Sequence, residues 1–428
     1  MSSFIETEIG TYPGSWDVNR VDSAFGIQQG KQVSKKNRIG NNQRSFLRTK
    51  NVFWNRLDLE VLDQMHFTEA EESRLAMKGG DLLLCEGGDI GRAAMWRGEI
   101  ARCYHQNHLH RLRALDGRID PQYGVYWFWY SFNVAKLYFG RGNVTTIPNL
   151  SRSKLAELPM ALPPLPEQKN IAHILSAVQR AIETQERIIA TTTELKKALM
   201  QKLFTEGLRG EPQKETEIGF VPESWGEITL GELCEKPTGA LQTGPFGSQL
   251  HKSDYQDTGV AVVNPTHLAG NQINHEDVPR VSEEVADRLQ RHCLQQSDIL
   301  FGRRGEIGRH GLVTKAEEGW LCGTGCFLVR ARKPFIDNRF LSYYFSLEAL
   351  VKWLYSHAAG AIMPNLNNTV LKKLPVFYPT ISMQEEIVEI FSTVDRKVVS
   401  AEQKRYALQD LFRTLLHELM TAAIRVES

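Results

Sequence analysis

Gly80-Asp-Leu-Leu-Leu-Cys-Glu-Gly-Gly-Asp-Ile-Gly-Arg92 and Ser297-Asp-Ile-Leu-Phe-Gly-Arg-Arg-Gly-Glu-Ile-Gly-Arg309 are the two stretches whose comparison decides how this chain is built. Asp81 and Asp298, Ile90 and Ile307, Gly91 and Gly308, and Arg92 and Arg309 coincide at an offset of 217. Further out, Ile147-Pro-Asn-Leu150 answers Met363-Pro-Asn-Leu366, and Leu158-Pro159 answers Leu374-Pro375, at an offset of 216. Gln168-Lys-Asn-Ile171 answers Gln384-Glu-Glu-Ile387 at that same offset, and Ser15-Trp16 resembles Ser224-Trp225 at 209. Ordered matches at nearly constant spacing mark a tandem duplication of a large unit. Solenoid repeats run only about 20–50 residues.

Each half has the same internal order. Glycine-rich, mixed sequence with alternating segments such as His108-Leu-His-Arg-Leu-Arg113 reads as strands and turns. An aromatic, helix-like piece follows, Val125–Phe139 and then Phe340–Tyr355, and after it a proline strap, Leu158–Pro166 and Leu374–Pro379. Last comes a long helix. From Glu167 to about Glu206 there is no Pro or Gly, and apolar residues recur at helical spacing until Gly207, Gly210 and Pro212 end the run. Some 40 residues at 1.5 Å each make a rod of roughly 60 Å, too long to satisfy its apolar stripe alone. Ile171, Leu175, Val178, Leu195 and Leu199 are therefore expected to pack against Ile387, Phe391, Val394, Leu411 and Leu415 as an antiparallel coiled coil. The expected fold class is α+β, a mixed domain followed by a long helix, twice. The divisions are residues 1–166, first globular domain; 167–209, central helix; 210–380, second domain; and 381–428, C-terminal helix. An antiparallel return would put the two domains at opposite ends of the rod.

Composition bounds the function. The chain has 428 residues, 42% hydrophobic and 24% charged, an ordinary globular balance. Its longest apolar stretch, Val125–Phe139, is too short and too interrupted to span a membrane, and no secretory signal opens the sequence. Six cysteines in such a length make no disulfide framework, so a reducing cytoplasm is expected. Lys and Arg number 51 against 50 Asp and Glu, but they are unevenly placed. Between Ser23 and Leu57 there are eight cations and no acid, with glutamines, asparagines and aromatics interleaved. Cations position a protein on phosphates, and Asn, Gln and Arg read base edges. The bland alternative is a solvated basic loop. The residues proposed to contact nucleic acid are Gln28, Lys31, Lys35, Lys36, Arg38 and Arg44. In the second half the weaker basic counterparts include Arg303 and Arg304.

Catalytic motifs fail on inspection. Gly26-Ile-Gln-Gln-Gly-Lys-Gln32 has the wrong spacing for a phosphate loop, and no G-x-G-x-x-G follows a strand. Gly87–Gly91 reads as a turn between strands. Cys322-Gly-Thr-Gly-Cys326, and Cys103 with His105, His108 and His110, lack a second paired cluster at zinc spacing; buried cysteines and groove-facing histidines are expected, and no metal. No nucleophile elbow or H-E-x-x-H pair is present, so no catalytic residue is assigned.

At this point the sequence resembles the DNA specificity subunits of type I restriction–modification systems. Gly244-Pro-Phe-Gly-Ser-Gln-Leu250 with Tyr255 and Gly259-Val260 looks like the opening of a target-recognition domain, and the two stretches quoted first look like its middle. Leu162-Pro-Pro-Leu-Pro-Glu-Gln168 is similar to the family's entry into its spacer helix; Ile381-Ser-Met-Gln384 loses the prolines but keeps the glutamine. The resemblance implies two target-recognition domains, each reading half of a bipartite double-stranded DNA target. It adds Gly244, Phe246, Ser248 and Gln249 to the residues proposed to contact DNA. It implies helices that set the spacing and dock two methyltransferase subunits, with translocating restriction subunits joining. S-adenosylmethionine, ATP and magnesium would belong to those partners, none being bound by this chain, itself non-catalytic. The alternatives are a DNA-independent coiled-coil adaptor or antagonist of such a complex, and a fused methylase–nuclease, against which stands the absence of an Asn/Asp-Pro-Pro-Tyr/Phe motif.

Overall fold

A computed structural model describes residues 4–115, 117–138, 149–237, 239–303, 306–358 and 366–426. Arg304 and the repeat motifs at 147–148 and 363–365 lie outside the described residues. The chain forms two compact units, one of Met1–Arg187 with Glu402–Ser428 and one of Ile188–Ala401.

In the first unit a four-stranded antiparallel sheet runs in the order Ala93–Met95, Leu82–Cys85, Leu109–Ala114, Phe25–Gln29. Leu82, Leu84, Leu112 and Phe25 point into a core shared with the helix Pro121–Phe128. Leu83, Cys85 and Leu109 point the other way, into a second core with Leu47, Val52 and Trp96. Burial on both faces explains why the strand is a continuous apolar run rather than an alternating one. A second sheet pairs Tyr104–His105 parallel to Gln43–Leu47, which in turn runs antiparallel to Asp63–His66. The aromatic stretch continues from its α-helix into a π-helical segment, Trp129–Val134.

The second unit repeats this plan. Its sheet runs Ala240–Thr243, Cys326–Arg330, Ile299–Gly302, His310–Leu312, and Val260–Val263 pairs parallel to Leu321–Cys322. The matching residues do matching work. Asp81, 2% exposed, takes two hydrogen bonds from Arg113 at 2.6 and 2.7 Å; Asp298, fully buried, takes two from Arg330 at 2.6 and 2.9 Å. Arg92 pairs with Asp89 and donates to the Thr49 carbonyl, while Arg309 pairs with Glu306 and donates to that of Pro265. Gly91 and Gly308 both have positive φ, +82° and +90°, and a Cβ would strike Phe132 or Val351. Each of these glycines is thus fixed twice over, by conformation and by space.

The long helices span Leu165–Glu206 and Ile381–Met420. Gly207, at φ +70°, ends the first in the left-handed conformation that a helix C-terminus favours. Both start at the same device. The Gln168 amide accepts from Asp120 N–H at 2.8 Å and donates to the Pro163 carbonyl at 2.8 Å. The Gln384 amide accepts from Asp337 N–H and donates to the Pro379 carbonyl, both at 2.9 Å. A fully satisfied buried amide ties each helix start to its unit, and this is why the glutamine persists where prolines do not.

Helix pairing is antiparallel in order. Ile171, Ala172 and Leu175 share a core with Phe412, Leu416, Leu419 and Met420 in the first unit. Met200, Leu203 and Phe204 share one with Ile387, Val388 and Phe391 in the second. Val178 and Leu415, and Leu199, pack partly buried against these cores, and Val394 is half-buried. Leu195 and Leu411 correct the expected seam: they are 51% and 45% exposed. The seam is taken instead by the next residue in each copy, Lys196 and Phe412. Lys196 bonds Asp395 at 2.6 Å under the Tyr343 hydroxyl, and Phe412 packs on Trp129 with ring centroids 4.9 Å apart. Neighbouring residues on a helix are turned about 100° apart, so a stripe read one position off points outward.

Candidate nucleic-acid interface

The basic run of the first unit starts from one packed glycine. Gly30 donates its N–H to the Leu109 carbonyl at 3.2 Å, and a Cβ there would lie 2.3 Å from the carbonyl oxygens of His105 and Gln106. The chain then leaves the sheet, and Gln32, Lys35, Lys36, Arg38, Ile39 and Asn41 are exposed, Ile39 by 81%. A 3-10 turn, Lys36–Arg38, shapes the tip. Asn37 holds it by donating its side-chain amide to the Gln32 carbonyl at 2.8 Å, while the Ser34 hydroxyl accepts from Asn37 N–H at 3.2 Å. The loop's polar residues satisfy its backbone and leave Lys35, Lys36 and Arg38 directed to solvent.

Two of the expected contacts are instead internal. Lys31 is 8% exposed; its ammonium bonds the Glu71 carboxylate at 2.6 Å and the His66 carbonyl at 2.7 Å, 5.1 Å from the centre of the Phe67 ring. Arg44 bonds Glu72 at 3.0 Å. The acids that neutralise the run stand outside it in sequence and opposite it in space. Glu72 also collects Arg102, Asn42 and Tyr104, and its carboxyl is held down to about 2, chiefly by the Arg102 hydrogen bond. Arg48 and Lys50 share Asp63. Gln28 lies on the sheet's outer strand, half-buried, its amide donating to the Gln29 carbonyl at 2.8 Å.

The second unit starts its loop at the same point. Gly244 donates to the Cys326 carbonyl at 2.8 Å, Cys326 being the position that matches Leu109, and a Cβ on it would meet the Gly323 carbonyl. Gly244 is buried, so its role is to let two backbones touch rather than to contact a ligand. Beyond it Phe246 is 55% exposed and Ser248 is exposed. Gln249 is half-buried and accepts from Phe246 N–H at 3.2 Å and from Arg291 at 3.3 Å. Arg303 is half-buried, its guanidinium 6.0 Å from the Phe327 ring centre. The structure thus brings Lys35, Lys36 and Arg38 together on one loop and Phe246, Ser248 and Gln249 on its counterpart. Sequence comparison missed that Gly30 and Gly244 correspond, because their offset, 214, departs from that of the flanking motifs.

His108 is exposed beside Glu86, but Cys103, His105 and His110, grouped with it in the sequence, turn their side chains inward. His105 and His110 are fully buried, not groove-facing; His105 is pushed down to about 3, mainly by burial. Burial pushes the Cys85 and Cys103 thiols up to about 11. Cys85 lies on a strand buried on both faces, and Cys103 packs in the same core beside Leu47, Val52 and Trp96. Among the described residues no three His, Cys, Asp or Glu side chains are grouped to hold a metal ion. No helix among them is long and apolar enough to cross a membrane.

Comparison with known proteins agrees with this duplicated plan. The chain is 25% identical to a Methanocaldococcus jannaschii protein provisionally named as the MjaX specificity subunit of a type I restriction enzyme, over 100% of this chain and 97% of that one. It is 26% identical to the type I restriction enzyme MjaVIII specificity subunit of the same organism, over 66% of each. Among solved structures, the S subunit of a type I restriction–modification system from M. genitalium superimposes with a TM-score of 0.58 at 18% identity, covering 94% of this chain and 96% of that one. The family model of the type I restriction modification DNA specificity domain matches twice, over residues 13–193 and 222–409. Both copies fall on the sheet, strap and helix described above, and the chain therefore belongs to the family of type I restriction modification DNA specificity domains.

Proposed function

We propose that this chain is the sequence-reading subunit of a type I restriction–modification complex, each half binding one half of a bipartite DNA target. The observation that carries the reading is the loop built twice: Gly30 and Gly244 release, from the equivalent end of the equivalent sheet in each unit, one loop bearing Lys35, Lys36 and Arg38 and another bearing Phe246, Ser248 and Gln249. Family membership supplies the context. The reading parts are residues 1–166 and 210–380, and the helices at 167–209 and 381–428 set the spacing. Methyltransferase and restriction subunits are the partners, bringing S-adenosylmethionine, ATP and magnesium. This chain recognises; its partners react.

Cations on a solvated loop contribute through counterion release, so binding falls steeply with salt. The test is duplex binding by the assembled methyltransferase complex over a salt series, with methylome sequencing of cells that carry it. A bipartite methylated motif, and a log–log salt slope that shrinks when Lys35, Lys36 and Arg38 are replaced by Gln, are expected. Methylation unaffected by loss of this chain overturns the reading.

A further inference from the structure

One position in the duplicated sheet is filled by opposite chemistry in the two units. Glu86 follows the strand Leu82–Cys85, and Arg303 follows Ile299–Gly302. Glu86 N–H donates to the His108 carbonyl at 3.0 Å, and its own carbonyl accepts from Leu150 N–H at 2.9 Å. Arg303 N–H donates to the Gly325 carbonyl at 2.8 Å, and its carbonyl accepts from Leu366 N–H at 3.1 Å. His108 matches Gly325, and Leu150 matches Leu366, by the repeat itself. Both residues therefore flank the first residue of the central strand, opposite the glycine that releases the exposed loop. They stand at the loop's end of the sheet.

Glu86 is an acid where a purely structural residue would be apolar or well paired. It is 5% exposed, yet its carboxylate has only long contacts among the described residues, 3.4 Å to the Gln29 amide and 3.5 Å to His108. It lines an open groove together with Gln29, Ser151, Ser153, the guanidinium-bearing Arg20 and Arg152, and a second acid, Glu157. Hydroxyls and guanidinium groups suit phosphate oxygens, and a carboxylate among them suits a hydrogen-bond donor. An ionised carboxylate can only accept hydrogen bonds and a guanidinium can only donate them. In the major groove cytosine and adenine present amino groups, whereas guanine presents two acceptors.

We propose that Glu86 and Arg303 are the same base-reading position in the two units. Glu86 selects a base with an exocyclic amino group in one half-site, and Arg303 selects guanine in the other. The inference rests on the DNA-recognition reading above, and the experiment separates the two. Complexes carrying the intact chain, Glu86→Gln, or Arg303→Gln are used to select from a duplex library with randomised sequence, and bound molecules are sequenced. Glutamine keeps the size at position 86 and both donates and accepts. Glu86→Gln is expected to reduce a roughly 10- to 100-fold preference at one base pair to near parity, leaving the other half-site and the spacer unchanged. Arg303→Gln does the same at one guanine of the other half-site. Affinity that falls uniformly with an unaltered motif, or no change in either variant, overturns this inference while the function stands. If the intact chain enriches no bipartite motif, both fall. Should Glu86→Gln lower the melting temperature, Arg303→Gln, at a half-exposed position, decides alone.

Discussion

Lys31 and Lys35 stand four residues apart in one basic run, and the fold gives them different work. Lys31 is enclosed by Glu71, a carbonyl and a ring, so removing it leaves a carboxylate with a lost partner inside the unit. Lys31→Ala is expected to lower stability by about 1–3 kcal/mol, read by denaturant unfolding, without changing the salt slope of DNA binding. Lys35→Gln does the reverse: the midpoint stays, and the slope falls by up to about 0.9 for a lost phosphate contact. The run's charge was legible in the sequence; its division was not, because Glu71, Glu72 and Asp63 lie beyond it and only folding brings them opposite. The same acids govern behaviour at low pH. Glu72 titrates near 2 in the folded chain against an ordinary value of 4.5, so its stabilisation is present above pH 4.5 and is lost as pH falls toward 2. Glu72→Gln should flatten the fall in melting temperature across that window, and an unchanged fall would refute its role.

At the scale of elements, the helices show what periodicity conveys. Spacing of apolar residues predicts that each long helix has a seam, and the seam exists. Which residue of an adjacent pair enters it depends on the partner's shape. Phe412 enters because Trp129 and Tyr126 form an aromatic wall for it, while Leu411 is left outside. Lys196, the matching residue, enters because Asp395 and the Tyr343 ring receive its charge, an arrangement hidden from a search for apolar stripes. Phe412→Ala is expected to cost about 3–5 kcal/mol, and Leu411→Ala within about 0.5 kcal/mol of nothing. Thermal unfolding of the two variants side by side checks the register. Equal losses would mean the seam has been misplaced. Gln168 and Gln384 belong to the same lesson. A glutamine repeated at a helix start is visible in the sequence, but its three-way backbone clamp needs the loop that precedes the aromatic helix, some 50 residues earlier.

For the whole molecule, the order of the sequence and the order of the cores differ. The duplication makes each half look self-sufficient, yet the first unit takes in Glu402–Ser428 and the second is contained in Ile188–Ala401. The last segment supplies Phe412, Leu416, Leu419 and Met420 to the first unit's core. Arg425 adds an ion pair to Glu167 at 2.6 Å, and Glu167 also accepts from the Trp16 indole at 3.1 Å. Residues at opposite ends of the chain therefore share one carboxylate, 5% exposed. A chain ended after Ala401 loses this closure from the first unit alone. Four large apolar side chains at about 1.5–3 kcal/mol each are comparable with the whole stability of a domain. The truncated chain is accordingly expected to lose protease protection across residues 4–187 and to keep it across 188–401. Limited proteolysis followed by mass spectrometry reads both regions at once. Equal protection of both would show that the first unit folds without the chain's end, and that the final helix contributes spacing and not structure.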